Sequence, residues 1–114
     1  MSARSSDDGW IWRFGGAPDE PARLRLFCFP FAGGAAQAFR DWPRALPGWV
    51  DTCAVQLPGR WTRRHEPPFR QMEPLADAAA AALRPRLELP FALLGHSMGA
   101  VLAYEVARRL TGAG

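Results

Sequence analysis

The chain alternates between short apolar runs of strand length and longer stretches with helical spacing. Residues 23–29, "RLRLFCF", alternate and then become continuously apolar, as a strand entering a buried sheet does. "WVDTCAVQL" (49–57) and "PFALLG" (90–95) read as two further buried strands. "WIWRF" (10–14) places Trp10, Trp12 and Phe14 on one face at period two and predicts a short edge strand. Helices are expected near residues 35–46, after a glycine loop, and within "MEPLADAAAAALRPRL" (72–87). Pro74 is tolerated in the first turn of the second helix, and Pro85 ends it at about residue 84. A last helix covers "MGAVLAYEVARRL" (98–110), with Gly112 suited to its C-terminal cap.

Strand and helix alternate from residue 23 onward, which predicts βαβ units: an α/β fold with parallel central strands and flanking helices. No internal repeat is visible. Residues 1–9 are expected to be a mobile leader, and residues 10–114 a single domain. Functional loops of open parallel sheets lie at the carboxyl ends of the strands. Residues 30–34, 57–69 and 95–98 meet that condition.

Composition narrows the function classes. A hydrophobic content of 48% can fill a core. No apolar run reaches the roughly 18 residues of a membrane span, and the first ten residues lack the apolar stretch of a signal peptide. A cytoplasmic protein without a membrane partner is the expectation. All 14 basic residues are arginine and the net charge is +3, but no basic stripe interleaves with aromatics, so no nucleic-acid partner is expected. The two cysteines, Cys28 and Cys53, fall inside expected strands and read as reduced core thiols. With two distant histidines they form no metal site.

The candidate chemistry is concentrated in "GHSMG" (95–99), which fits G-x-S-x-G in the required strand–turn–helix context. Such a tight turn forces Ser97 to positive φ, and side chains two residues either way would crowd it, hence Gly95 and Gly99. The Ser97 hydroxyl then sits at a helix N-terminus, where free N–H groups favour negative charge. The Met98 N–H can face a developing oxyanion. A second donor is expected in the glycine loop "FPFAGGAAQAF", from Ala32 first and Phe31 second.

Other polar residues are weaker candidates. His96 adjoins Ser97 and its side chain is expected to project away, as a packing or hydrogen-bonding group. His65 and the arginines at 60, 63 and 64 read as a solvated loop, and Asp77 and Glu105 as surface charges on helices.

Four stretches together resemble the type II thioesterases, the stand-alone editing hydrolases of polyketide and nonribosomal peptide assembly lines. They are "WIWRF", "LRLFCFPFAGGAAQAFRDWPRALP", "VQLPGRWTRRHEPPF" and "PFALLGHSMGAVLAYEVARRL". The glycine loop and "QLPGR…EPP" are more specific than the elbow, which many hydrolases share. The resemblance implies an α/β-hydrolase fold, a Ser–His–Asp triad and hydrolysis of acyl thioesters on the phosphopantetheine of an acyl or peptidyl carrier protein, with no separate cofactor. It gives Ser97 the nucleophile's position and the N–H groups of Met98 and Ala32 the oxyanion hole. Phe31 departs from the family, where histidine is frequent.

A larger departure concerns the triad. Hydrolases of this fold order it serine, acid, histidine. After Ser97 there is no histidine, and Glu105 is the single acid. The catalytic acid and histidine are absent from this chain, which therefore reads as the N-terminal part of such an enzyme, with the elbow near its C-terminus, and is expected to be inactive alone. Two alternatives stay open: another α/β-hydrolase (an esterase or lipase), and a non-catalytic remnant that binds a carrier protein.

Overall fold

The computed structural model describes residues 3–15, 20–31 and 33–111. Ala32 and Gly112, the expected oxyanion donor and helix cap, lie outside the described residues. Five strands, β1 (Ala3–Ser5), β2 (Ile11–Phe14), β3 (Leu24–Phe29), β4 (Val50–Val55) and β5 (Phe91–Gly95), form one sheet in the order β1-β2-β4-β3-β5. β3 runs parallel to both β4 and β5, while β1 and β2 are antiparallel additions. Three helices follow the strands: α1 (Trp42–Ala45), α2 (Met72–Leu83) and α3 (Met98–Leu110).

Side-chain alternation divides the sheet into two faces. On one, Ile11, Phe27, Phe29, Cys53 and Val55 pack with Leu75, Ala79 and Leu83 of α2 and with Leu102 and Val106 of α3. The other buries Cys28 and Ala54 beneath Ala36 and Phe39, with Trp12, Phe14, Trp42 and Trp61 at its margin. Alanines along α2 and Ala103 of α3 keep the main core thin. Arg109 joins the two helices by bonding Asp77 at 2.6 Å and Glu105 at 3.1 Å.

Several elements differ from the sequence expectation. Ala3–Ser5, assigned to a mobile leader, is instead a strand paired with β2. Its turn is built by polar side chains, a signal that hydrophobic periodicity cannot register: the Ser6 hydroxyl donates to Asp8 at 2.6 Å and accepts from the Ile11 N–H at 3.1 Å. β2 is consequently not an edge strand, since β1 covers one side and β4 pairs on the other. Trp12 and Phe14 share a face, but Trp10 precedes the strand and packs against the opposite core. The expected helix over 35–46 is two pieces, a 3-10 turn at Ala36–Phe39 and then α1. Pro43 lacks an N–H and is tolerated only in a first turn, so the chain restarts its helix there.

The topology places the site. From β3 the chain moves sideways to β4, then returns across β3 to β5. Segments after β3 pack on one face of the sheet and α3, after β5, packs on the other. The two connections therefore diverge at the carboxyl ends of β3 and β5, opening the crevice that such switch points create.

Candidate active site

β5 ends at Gly95 and α3 begins at Met98, leaving two residues for the reversal. Ser97 takes φ 61° and ψ −120°, a conformation unfavourable for any residue with a Cβ. Close contacts hold it there. A Cβ on Gly95 would lie 2.1 Å from the Gly99 carbonyl oxygen, and one on Gly99 would lie 2.3 Å from that of Phe29 and 2.4 Å from that of Pro30. The His96 N–H donates to the Phe29 carbonyl at 3.2 Å, which ties the elbow to the end of β3.

The result is an exposed serine whose hydroxyl makes no hydrogen bond among the described residues. Next to it, the Met98 N–H opens α3 and has no backbone acceptor among the described residues. A free donor and the positive end of a 13-residue helix thus lie beside the hydroxyl, favouring negative charge.

Across the crevice the glycine loop turns sharply. The Gly34 N–H bonds the Phe31 carbonyl at 2.8 Å, with Gly33 at φ 78°. Phe31 is 42% exposed, and its ring meets that of His96 edge to face at 5.5 Å. His96 packs on the glycine loop in this way.

Sequence reasoning missed the residue that links the two loops. Gln56, fully buried at the end of β4, accepts the Ala36 N–H through Oε1 at 2.8 Å and donates through Nε2 to the Arg60 carbonyl at 2.7 Å. Arg63, expected to be solvated, is buried. It donates to the Gln56 carbonyl at 2.9 Å and to both carboxylate oxygens of Glu66. Its guanidinium also lies 4.4 Å from the centre of the Trp10 ring. The hydrogen bond from Arg63 holds the Glu66 carboxyl below its usual range. Only the "QLPGR…EPP" pattern hinted at this, and a pattern does not say which arginine turns inward.

No triad partner is assembled around Ser97 among the described residues. Glu105 faces Arg108 at 2.8 Å and Arg109 at 3.1 Å. His65 is exposed in its loop, and no hydrogen bond joins either histidine to Ser97. Both cysteines are free and buried, and burial pushes each thiol up to about 12, so neither competes as a nucleophile. No group of three or more His, Cys, Asp or Glu able to hold a metal occurs among the described residues. No helix there is long and apolar enough to cross a membrane.

A mixed sheet with parallel central strands and a strained serine at the switch point is the arrangement of an α/β-hydrolase, and comparison with known proteins narrows the class. The thioesterase domain family matches residues 24–114, and the chain belongs to that family. It is 40% identical over 99 residues to the gramicidin S biosynthesis protein GrsT of Aneurinibacillus migulanus, covering 87% of this chain and 39% of that protein. RedJ, the thioesterase of the prodiginine pathway in Streptomyces coelicolor, superposes with a TM-score of 0.79 at 52% identity, over 88% of this chain and 39% of RedJ. BorB, the type II thioesterase of the borrelidin biosynthetic cluster, gives a TM-score of 0.85 at 42% identity, over 97% of this chain and 44% of BorB. The chain spans about two fifths of the length of these relatives.

Proposed function

We propose that Ser97 is the nucleophile of a thioesterase that hydrolyses acyl groups from the phosphopantetheine arm of an acyl or peptidyl carrier protein, in the editing role of the type II enzymes. The observation that carries this reading is the backbone of Ser97 at φ 61° between two glycines with no room for a Cβ. Strain of that kind persists where the surroundings over-determine it, and here it presents a free hydroxyl at a helix N-terminus. The relatives' biosynthetic roles in gramicidin S, prodiginine and borrelidin pathways support the substrate class. Chemistry of this kind needs no cofactor beyond the substrate's own arm.

In the proposed reaction the Ser97 oxygen attacks the thioester carbonyl carbon while a base removes the hydroxyl proton. The carbonyl oxygen becomes an oxyanion that accepts from the Met98 N–H and from the glycine loop, with Ala32 assigned as the second donor. Collapse breaks the C–S bond, and the thiol leaves with a proton. Water then hydrolyses the acyl-serine and regenerates Ser97. Hydrolases of this fold place acid and histidine after the serine. Residues 98–114 hold no histidine and their one acid is Glu105, which Arg108 and Arg109 occupy. In this proposal the base belongs to the part of the fold that the relatives have and this chain does not span, and the full reaction is proposed for a polypeptide that provides it.

The test uses that full polypeptide with an acyl-carrier-protein thioester. Ser97→Ala is expected to lower kcat on the order of 10⁶-fold and to abolish labelling by a serine-directed phosphonate. Undiminished labelling of the alanine variant overturns the assignment. Turnover of simple esters but not of carrier thioesters favours the esterase alternative.

A further inference from the structure

We infer that Gln56 is a positioning residue for the oxyanion loop, held in turn by a rigid brace comprising residues 57–66. This rests on the reading of Ser97 as a nucleophile. Gln56 stands at the carboxyl end of β4, beside the crevice and not in it, with none of its surface exposed. A fully buried amide is costly unless its polar atoms are partnered, and Gln56 spends them on two different loops. Its oxygen receives the Ala36 N–H, the first N–H of the 3-10 turn into which the glycine loop runs. Its nitrogen holds the Arg60 carbonyl. The 3-10 turn at Ala36–Phe39 has no side-chain cap from its own N-cap residue, Ala35, so Gln56 performs that task from the end of β4.

The brace is itself over-determined. Arg63 bonds the Gln56 carbonyl, its own carbonyl accepts the Gly59 N–H at 2.9 Å, and its guanidinium is clamped between Glu66 and Trp10. Trp61, between Arg60 and Arg63, is the one non-glycine residue besides Ser97 with positive φ among the described residues, at 42°. Its ring is kept in place by Trp12, 4.6 Å away, and by Phe14, 6.4 Å away. A flexible loop would relax that torsion, so the strain marks a segment fixed from several sides. Gln56 carries this fixity to Ala36, at the start of the turn into which the glycine loop runs. A hole for an oxyanion works only if its donors are already in place when charge develops. A misplacement of about 1 Å costs up to about 100-fold in rate.

The test compares Gln56→Met and Gln56→Glu with the wild type in the full polypeptide, with rates normalised to phosphonate-titrated serine. Met removes every side-chain hydrogen bond of Gln56, whereas Glu, kept neutral in so buried a site, retains an acceptor for the Ala36 N–H and a donor for the Arg60 carbonyl. Gln56→Met is expected to lower kcat about 10- to 100-fold with KM little changed, and to weaken a tetrahedral boronate inhibitor by the same factor. Amide exchange is expected to quicken in residues 33–39 but not in α2, and Gln56→Glu should recover part of the loss. A lower melting temperature with wild-type kcat per titrated site and wild-type boronate affinity would make Gln56 a purely structural residue and overturn the proposal. Equal losses for Met and Glu would also count against it. If the wild type binds boronate but does not turn over carrier thioesters, the thioesterase reading fails. The boronate and exchange measurements still decide the role of Gln56.

Discussion

The two ends of the same parallel strands are built on opposite terms. At the amino end, Asp51 of β4 accepts two hydrogen bonds from Arg13, at 2.8 and 2.9 Å, and one from Arg25 at 2.9 Å. Arg25 also pairs with Glu88 and bonds the Arg86 carbonyl. This is a satisfied, half-buried ion network lying across three strands and the approach to β5. At the carboxyl end stand Ser97 and Trp61, the two strained non-glycine residues among those described, together with a hydroxyl and a helix N–H that make no hydrogen bond among the described residues. Partnered charge at one edge secures the strand register. Unpartnered groups and stored strain at the other are what a reacting site requires, and the fixity of the sheet between them makes such an edge tolerable.

The sharpest way to break the contrast is to add one carbon atom at the elbow. Gly99→Ala places a Cβ 2.3 Å from the Phe29 carbonyl oxygen, and Gly95→Ala places one 2.1 Å from the carbonyl oxygen of Gly99. In both cases the obstacle is backbone, which cannot swing aside. Each is expected to cost at least about 3 kcal/mol in urea unfolding, more than any single change at the amino edge. A loss below about 1 kcal/mol would mean the elbow is looser than its geometry.

The amino edge is tested by pH. Burial alone would raise the Asp51 carboxyl, but the hydrogen bonds and charge of Arg13, then those of Arg25, outweigh it and hold the group below its usual value. A carboxyl with a depressed folded pKa stabilises the fold above the unfolded value of about 3.9. That contribution is lost as pH falls through the folded value. Asp51→Asn should therefore cost about 2 kcal/mol near neutrality, with the gap from wild type closing as the pH is lowered below about 4. A gap independent of pH would show that the carboxylate's charge is not what matters.

These two edges were not equally legible in the sequence. The elbow could be read because its signal is local: five residues, a strand before and a helix after. The three parallel strands and the helices α2 and α3 followed from hydrophobic spacing for the same reason, with ends near those expected. Asp51, Arg13 and Arg25 lie far apart in the chain and meet only through strand pairing, so nothing local announced them. Gln56 and Arg63 escaped notice differently. Polar residues beside a loop look solvated unless their partners are known, and the partners of Gln56 are backbone groups of two loops. β1 was invisible because Ala3, Arg4 and Ser5, all exposed, carry no hydrophobic period.

The smallest expected effect separates strain from chemistry at Ser97 itself. Ser97→Ala removes the hydroxyl but keeps the Cβ, so the positive φ stays as unfavourable as before. Its stability should lie within about 0.5 kcal/mol of wild type. Ser97→Gly removes the Cβ as well. A strained residue of this kind costs about 1–3 kcal/mol, and glycine returns part of that gain through the greater freedom of the unfolded chain. The net result should be a glycine variant about 1 kcal/mol more stable than the alanine variant. Both should be equally inactive, since both lack the nucleophile. Urea midpoints of the two variants, measured in the full polypeptide, make the comparison without any assay of turnover. If glycine is no more stable than alanine, the torsion at Ser97 carries no strain, and the elbow then differs from the amino edge in its unpartnered groups alone.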